Sequence, residues 1–299
     1  MSNNLLRILT GLVGIPVVIG VTYLGGWPFF ALVALLALLA QYEMYHLLRA
    51  AGTLPRVLPG LVLGGLVLLH AMYEPASGIA LALVILGLAL SPFAWGSTRD
   101  DVSRVDLRSP APESHVEHDA TSGAVGPVSL ATTVFGVIYP TMLLRFLLDI
   151  RNGAGTSSTD AEAFALTVAM LVLVWTTDTL AYFIGRAIGK RPFAPSISPK
   201  KTWAGTVGGA LSAVVAGLLL KLTILTFLDW IHVIAIAAIC GVVGQMGDLA
   251  ESKMKRLADV KDSGSLLPGH GGMLDRFDSM ILVAPAVYLY LRYIVQLGG

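Results

Sequence analysis

Charged side chains are scarce in this chain of 299 residues. They make up 13% of the sequence, whereas 55% is hydrophobic and the mean hydropathy is +0.76. A soluble domain carries about 25% charged residues, so the composition excludes an ordinary soluble protein. Positive and negative side chains almost cancel, to a net charge of +1. No strong overall field therefore favours nucleic acid or an acidic partner.

Cysteine is almost missing as well. Cys240 is the only one and lies within an apolar run, which excludes a disulfide framework. No Ser-His-Asp or Cys-His arrangement is visible, which argues against a hydrolase with a covalent nucleophile. The first apolar run lacks a small-residue cleavage site after it, so we interpret it as a retained membrane span and not as a secretory signal.

Long apolar runs, in contrast, recur along the whole chain. Runs of about 20 residues are typical of transmembrane helices, so we predict an all-α polytopic membrane protein with about nine spans. The predicted spans are about 8–24, 28–48, 57–73, 78–96, 126–148, 163–185, 205–226, 230–250 and 277–296.

The loops between the spans differ in their content of Lys and Arg. With the amino terminus in the cytoplasm, sixteen of the 20 cations fall on the cytoplasmic side, as the positive-inside rule requires. The polar segment 97–125 has no apolar period and is expected to be a cytoplasmic linker. It divides an amino-terminal four-span region, 1–96, from a carboxy-terminal five-span region, 126–299, in which we expect catalysis.

Asp178 stands inside the otherwise apolar sixth span. Carboxylates in a membrane are costly and face a bundle interior or a water-filled cavity, so we expect a function, although structural pairing with a neighbouring helix stays open. The loop after the sixth span contains two lysines and leads into the start of the next helix. Backbone N–H groups and lysines at such a helix start suit an anionic phosphate. The alternative is an ordinary cytoplasmic loop that follows the positive-inside rule. The predicted binding residues of this loop are Ser198, Lys200, Lys201, Thr202 and Trp203.

Charge is concentrated between Asp248 and Asp278. Eleven of these 31 residues are charged, and apolar runs stand on both sides. Asp248 lies at the cytoplasmic end of the eighth span, whereas Asp275 and Asp278 open the ninth on one helical face. If the eighth helix continues, Ser252 and Lys255 lie on the same face as Asp248.

Carboxylates gathered near one leaflet repel each other unless cations lie between them. Mg²⁺ is the expected ion, and two metal ions about 4 Å apart would suit a phosphoryl displacement; the identity of a second ion stays open. The predicted metal ligands are Asp178, Asp248, Asp275 and Asp278. The cations expected to neutralise a polyphosphate are Lys200, Lys201, Lys255, Arg256, Lys261 and Arg276.

The run SKMKRLADVKDSGSLLPGHGGMLDRFD resembles the signature of the phosphatidate cytidylyltransferases. Its filled positions are Ser252, Lys255, Arg256, Lys261, Asp262, His270, Gly271, Gly272, Asp275, Arg276 and Asp278. The preceding Gly247-Asp248 and the segments DTLAYFIGRAIGK and SPKKTWAG are also similar to the family. The likeness covers about 126–299, and Ala204 departs from it where the family pattern has Glu.

The resemblance implies a nucleotidyltransferase that converts CTP and phosphatidate into CDP-diacylglycerol and pyrophosphate with Mg²⁺. The residues expected to be catalytic are Asp248, Lys255, Arg256, Lys261, Asp275, Arg276 and Asp278. Those expected to bind substrate are Asp178, Ser198, Lys200, Lys201, Thr202, Trp203, Ser252, Asp262, His270, Gly271 and Gly272. The resemblance also implies a homodimer in the inner membrane, acting on phosphatidate of the cytoplasmic leaflet and with no nucleic-acid partner.

Two other functions stay open from the sequence. A CTP-dependent kinase of a lipid alcohol would share the nucleotide and the metal, but it needs a base for its hydroxyl nucleophile. An ion-coupled transporter would use Asp178 as its intramembrane site. The charges at span ends argue against a transporter, because transporters bind at broken helices in mid-membrane.

Overall fold

The computed structural model describes residues 3–73, 127–153, 159–264 and 271–295, and most of them are helical. In chain order the elements are α1 (Asn3–Leu24), α2 (Gly26–Ala50), α3 (Val57–His70), α4 (Pro127–Gly136), a π-helical turn (Val137–Met142), α5 (Leu143–Arg151), α6 (Asp160–Ile188), β1 (Pro192–Ala194), β2 (Ser198–Thr202), α7 (Trp203–Lys221), α8 (Trp230–Leu257), α9 (Leu274–Tyr290) and a second π-helical segment (Leu291–Val295).

The predicted polytopic helical protein is confirmed in its coarse form. Six segments within the described ranges are long and apolar enough to cross a membrane: Gly26–Ala50, Val128–Arg151, Asp160–Ile188, Trp203–Lys221, Trp230–Leu257 and Leu274–Val295. Two shorter apolar helices, Gly11–Leu24 and Val57–His70, coincide with the first and third predicted spans. The predicted span 78–96 and the linker 97–125 lie outside the described residues.

A short β-hairpin between α6 and α7 adds two strands that the sequence did not predict to the helical fold. Strands β1 and β2 pair antiparallel, with Pro192 opposite Thr202 and Ala194 opposite Ser198. Proline lacks an N–H and disfavours helix, so this proline-rich segment folds as two short strands. Thr202 then caps α7, because its Oγ1 accepts a hydrogen bond from Gly205 N at 3.2 Å. The hairpin therefore leads directly into the start of a membrane helix.

Small residues allow α6, α7 and α8 to pack with their backbones close together. Along α7, Gly205, Gly209, Ala213 and Gly217 recur every fourth position and are buried. A Cβ atom at Gly205 would lie 2.6 Å from Ala181 O and 3.0 Å from Gly185 Cα, both on α6. Small residues are what permits such close helix approach in membranes. The packing brings the second half of α6 and the second half of α8 to the same space.

Helix α2 connects the amino-terminal helices to the rest of the fold. Gln41 Nε2 donates to Gly60 O on α3 at 2.7 Å, and its Oε1 accepts from Thr141 Oγ1 at 2.6 Å. Tyr45 donates to Thr133 O on α4 at 2.9 Å. Buried polar groups need such partners, so this network fixes α2 against α3, α4 and the π-helical turn.

Candidate active site

A cavity of about 460 Å³ opens between α6, α7, α8 and the hairpin. Its volume is within the range of small-molecule sites. Residues that the sequence predicted for the site line it from three separate segments: Asp178, Lys200, Lys201, Thr202 and Asp248. The fold thus brings together groups that are up to 70 positions apart in the sequence.

Asp248 and Lys201 form an ion pair at the wall of this cavity. Lys201 Nζ lies 2.6 Å from Asp248 Oδ2, and the two side chains are 23% and 32% exposed. Ser252 Oγ donates to Asp248 Oδ1 at 3.3 Å, as expected for residues one helical turn apart. A predicted metal ligand and a predicted phosphate-binding lysine are therefore neighbours and neutralise each other.

Asp178 faces the same cavity from α6. Its carboxylate is exposed to the cavity and interacts electrostatically with Asp248 and Lys201. Tyr182 and Arg186 follow at one and two helical turns and also line the cavity, with Arg186 Nη1 donating to the Tyr182 hydroxyl at 3.2 Å. This face of α6 offers a carboxylate, a phenol and a guanidinium in a row.

Asp278 adds a third carboxylate to the group. It interacts electrostatically with Asp248 and Asp178, and its Oδ1 accepts a hydrogen bond from Ser279 N at 2.6 Å. Within the described part of the chain, Asp248 is the one member of this trio that makes an ion pair. We call Asp178, Asp248 and Asp278 the carboxylate trio.

Asp275 has a different environment, although it lies only one turn from Asp278. Its Oδ1 is 2.5 Å from Lys255 Nζ. Its Oδ2 accepts from Ser263 N at 3.1 Å, Ser263 Oγ at 3.0 Å and Gly272 N at 2.8 Å. Both oxygens are thus engaged by protein donors, and the carboxylate holds the turn before α9 against the end of α8.

Lys255 forms ion pairs with two carboxylates, Glu251 and Asp275, although the sequence predicted that it lies on the same helical face as Asp248. Its Nζ is 2.5 Å from Glu251 Oε2 as well as from Asp275, and the Glu251 side chain is 0% exposed. Sequence reasoning gave Lys255 a phosphate-neutralising role because the charged stretch contains many cations. The structure places it in a buried Glu251–Lys255–Asp275 triad that joins α8 to α9.

The other predicted residues are distributed around this centre. Arg256 Nε donates to Ile197 O in the hairpin at 3.3 Å, and Trp203 packs edge-to-face on Phe193 with ring centroids 4.6 Å apart. Lys261, Asp262 and Arg276 are exposed. Gly271 has a φ of +81°, a conformation that favours glycine. His270 lies outside the described residues.

Two buried residues near the trio were not assigned a site role from the sequence. Glu43 on α2 accepts hydrogen bonds from the start of α9. Tyr139, in the π-helical turn, is 2% exposed, and its hydroxyl has no hydrogen-bond partner among the described residues. It interacts electrostatically with Asp278, Glu251 and Asp248. π-helical turns are frequent at functional sites, but no local sequence signal predicts this one.

The carboxylate trio has the chemistry of a Mg²⁺ site without forming a closed cage. No group of three or more Asp, Glu, His or Cys side chains within ranges 3–73, 127–153, 159–264 and 271–295 is positioned to hold one ion. Mg²⁺ is commonly held by one or two carboxylates together with substrate phosphates. The interacting negative charges of Asp178, Asp248 and Asp278 fit that arrangement.

Comparison with known proteins gives one consistent result. The sequence model of the cytidylyltransferase family matches residues 5–294. The chain is 33% identical over 289 residues to the phosphatidate cytidylyltransferase of Bacillus subtilis, covering 95% of this chain and 96% of the relative. It is 31% identical over 294 residues to that of Synechocystis, covering 95% of each. A shorter match, 47% identical over 127 residues, covers 42% of this chain and 47% of the Brucella abortus enzyme.

Proposed function

The chain belongs to the cytidylyltransferase family, and we propose that its cavity is where CTP and phosphatidate react to give CDP-diacylglycerol and pyrophosphate. It is a transferase of phospholipid synthesis, because the relatives that match almost its whole length are named phosphatidate cytidylyltransferases. The observation that carries the assignment of the cavity is the convergence of Asp178, Asp248 and Lys201 on one space.

The reaction forms one phosphorus–oxygen bond and breaks another. A phosphate oxygen of phosphatidate attacks the α-phosphorus of CTP, and the bond from the α-phosphorus to the bridging oxygen breaks, so pyrophosphate leaves with the electron pair. The attacking phosphate is already ionised at neutral pH, so it needs no general base. Catalysis then depends on positioning and charge stabilisation. Lys200 and Arg186, which line the cavity, are suited to hold phosphate groups.

Mg²⁺ is the cofactor that suits this reaction. When bound, it would neutralise charge on the phosphates and polarise the α-phosphorus. Asp248 and Asp278 would hold it, with Asp178 as a further ligand and substrate phosphate oxygens completing the shell. Asp275, predicted as a ligand from the sequence, would first have to release Lys255 and three other donors. Its proposed part is therefore to hold α9 in place.

We propose that Lys201 exchanges its partner Asp248 for the phosphates when the nucleotide binds. Its ammonium group is paired with Asp248 at 2.6 Å. A triphosphate in the cavity offers Lys201 a competing anion of higher charge. Transfer of Lys201 to the phosphates would free the Asp248 oxygen for the metal, so nucleotide and metal would bind together.

The proposed membrane arrangement follows from the cation distribution. Nine spans with the amino terminus in the cytoplasm would place Lys200, Lys201 and the end of α8 at the cytoplasmic face. CTP is available on that side, and phosphatidate of the inner leaflet would reach the same depth. We propose an inner-membrane enzyme that assembles as a homodimer.

The test is an assay of the purified protein with CTP, phosphatidate and Mg²⁺. The proposal predicts stoichiometric release of pyrophosphate and label in the lipid from α-labelled CTP, with no product in excess chelator. Label in the lipid only from γ-labelled CTP would identify a lipid kinase instead. Proton flux into vesicles without CTP turnover would favour a transporter.

A further inference from the structure

We propose that Glu43, in the amino-terminal region, is a positioning residue of the reaction: it fixes the start of α9 and thereby the placement of Asp278 beside Asp248. The inference rests on the proposed function, because it assigns a task to a residue outside the signature of the charged stretch. It also gives the amino-terminal region a role in catalysis beyond anchoring in the membrane.

The contacts of Glu43 are with the segment that leads into α9. Its Oε1 accepts from Met273 N at 2.9 Å, and its Oε2 accepts from Leu274 N at 2.8 Å and from Ser263 Oγ at 3.0 Å. These donors are up to 231 positions away in the chain. Glu43 is only 2% exposed, so these donors replace the water that its carboxylate loses on burial.

The arrangement solves a problem at the start of α9. The first N–H groups of a helix have no partner within the helix, and the residue before α9 is Met273, whose side chain makes no capping hydrogen bond. A carboxylate from another helix satisfies two of these groups, and the helix dipole favours its negative charge. Gly264 and Gly272 allow this approach, since a Cβ atom at either position would collide with the Glu43 carboxylate.

Glu43 is connected to the carboxylate trio through the first turn of α9. Ser263 Oγ lies 3.0 Å from both Glu43 Oε2 and Asp275 Oδ2. A hydroxyl has one proton to donate, so the two carboxylates share the Ser263 hydroxyl as a common donor and are coupled through it. Asp278 follows on the next turn of the same rigid helix. A shift or rotation of the α9 start would therefore change the position of Asp278 relative to Asp248.

The decisive variant is Glu43→Gln, which keeps the size of the side chain. The amide NH₂ would face backbone N–H or hydroxyl donors, so one of the two acceptors is lost. We expect kcat to fall about 10- to 100-fold, the range for groups that orient metal ligands from behind. The half-saturating Mg²⁺ concentration should rise, and amide hydrogen exchange should accelerate in a peptide covering 271–276.

Tyr45→Phe is the matched control on the same helix. Tyr45 is buried and also loses a hydrogen bond, to Thr133 O, but its position two residues on from Glu43 points it to the other side of α2. Its variant should keep kcat and the Mg²⁺ dependence within about twofold, because the hydrogen bonds of its hydroxyl are with Gln41 and Thr133 and not with the start of α9. Equal losses of kcat in both variants, in proportion to their losses of thermal stability, would overturn the proposal.

Ser263→Ala keeps the test decisive if Glu43→Gln does not insert or fold. It removes the shared hydroxyl but keeps both backbone hydrogen bonds to Glu43. A smaller loss of kcat with faster exchange in 271–276 supports the inference, whereas unchanged kcat and exchange contradict it. Failure of the proposed function is distinct, because the unmodified protein would then make no cytidine-bearing lipid at all.

Discussion

Replacing Lys255 by methionine is the sharpest test of the Glu251–Lys255–Asp275 triad. Methionine is close to lysine in length and keeps the apolar contacts of the side chain, but it removes the charge. Lys255 is 12% exposed, and its partners Glu251 and Asp275 are 0% and 10% exposed. The variant therefore leaves two buried carboxylates without the cation that lies 2.5 Å from each.

The Lys255→Met variant removes more of the stabilisation of Glu251 than of Asp275. Asp275 keeps three donors, from Ser263 and Gly272, whereas Lys255 is the one cation paired with Glu251 in the described part of the chain. The penalty is thus that of one broken buried pair, about 3–5 kcal/mol of unfolding free energy. Glu251→Gln in the Lys255→Met background removes the stranded charge and should recover most of that loss.

The measurement is the free energy of unfolding from denaturant titration in one detergent, for the wild type, both single variants and the double variant. Because the four proteins form a double-mutant cycle, the coupling between Lys255 and Glu251 is obtained directly. A loss below about 1 kcal/mol for Lys255→Met, the value of an exposed ion pair, would refute the buried triad. So would a double variant less stable than Lys255→Met.

The remaining predictions concern Asp278, Lys201 and Tyr139. Asp278→Asn should abolish nearly all lipid product while the protein still inserts, because it removes one charge of the carboxylate trio; full activity in a pyrophosphate assay would contradict the metal assignment. Lys201→Gln should mainly raise the KM for CTP, and a loss confined to kcat would argue against a phosphate contact. Tyr139→Phe should lower activity without lowering stability, since removing an unpaired buried hydroxyl relieves a desolvation cost of about 1–3 kcal/mol. Parallel activity and unfolding measurements check that combination, and a less stable variant would show that the hydroxyl has a structural partner.

Helix α2, in the amino-terminal half of the chain, forms hydrogen bonds with helices from both halves. Glu43 contacts the start of α9, and Gln41 and Tyr45 on the same helix bind α3, α4 and the π-helical turn. The π-helical turn contains Tyr139, which interacts electrostatically with Asp278, Glu251 and Asp248. Through Glu43, the amino-terminal helix α2 therefore supports the site from behind, while the carboxy-terminal helices line it.

Sequence periodicity predicted the described spans well, because a membrane helix is determined by a local property. The predicted spans 28–48 and 230–250 correspond to Gly26–Ala50 and Trp230–Leu257. The hairpin was missed, since two short strands of three and five residues have no apolar period to detect. The positions of Asp178, Lys201 and Asp248 were predicted to lie on one side of the membrane, and the structure brings them to one cavity.

The pairing of charges could not be predicted in the same way. Asp275 and Asp278 are equivalent in the sequence, both acidic and three residues apart. Asp275 is nevertheless bound by Lys255 and three other donors, whereas Asp278 belongs to the carboxylate trio. Which cation reaches which carboxylate depends on helix rotation and on distances of a few ångströms.

The sequence by itself determined the helical membrane architecture, the family and the identity of the charged groups, because hydropathy, composition and a long motif are written locally along the chain. Only the tertiary structure decided which of those groups share a cavity and which are buried in the supporting triad. It also decided that Glu43, remote in sequence, caps α9. Such contacts depend on how helices approach and rotate against one another, and that is fixed by packing across the whole fold.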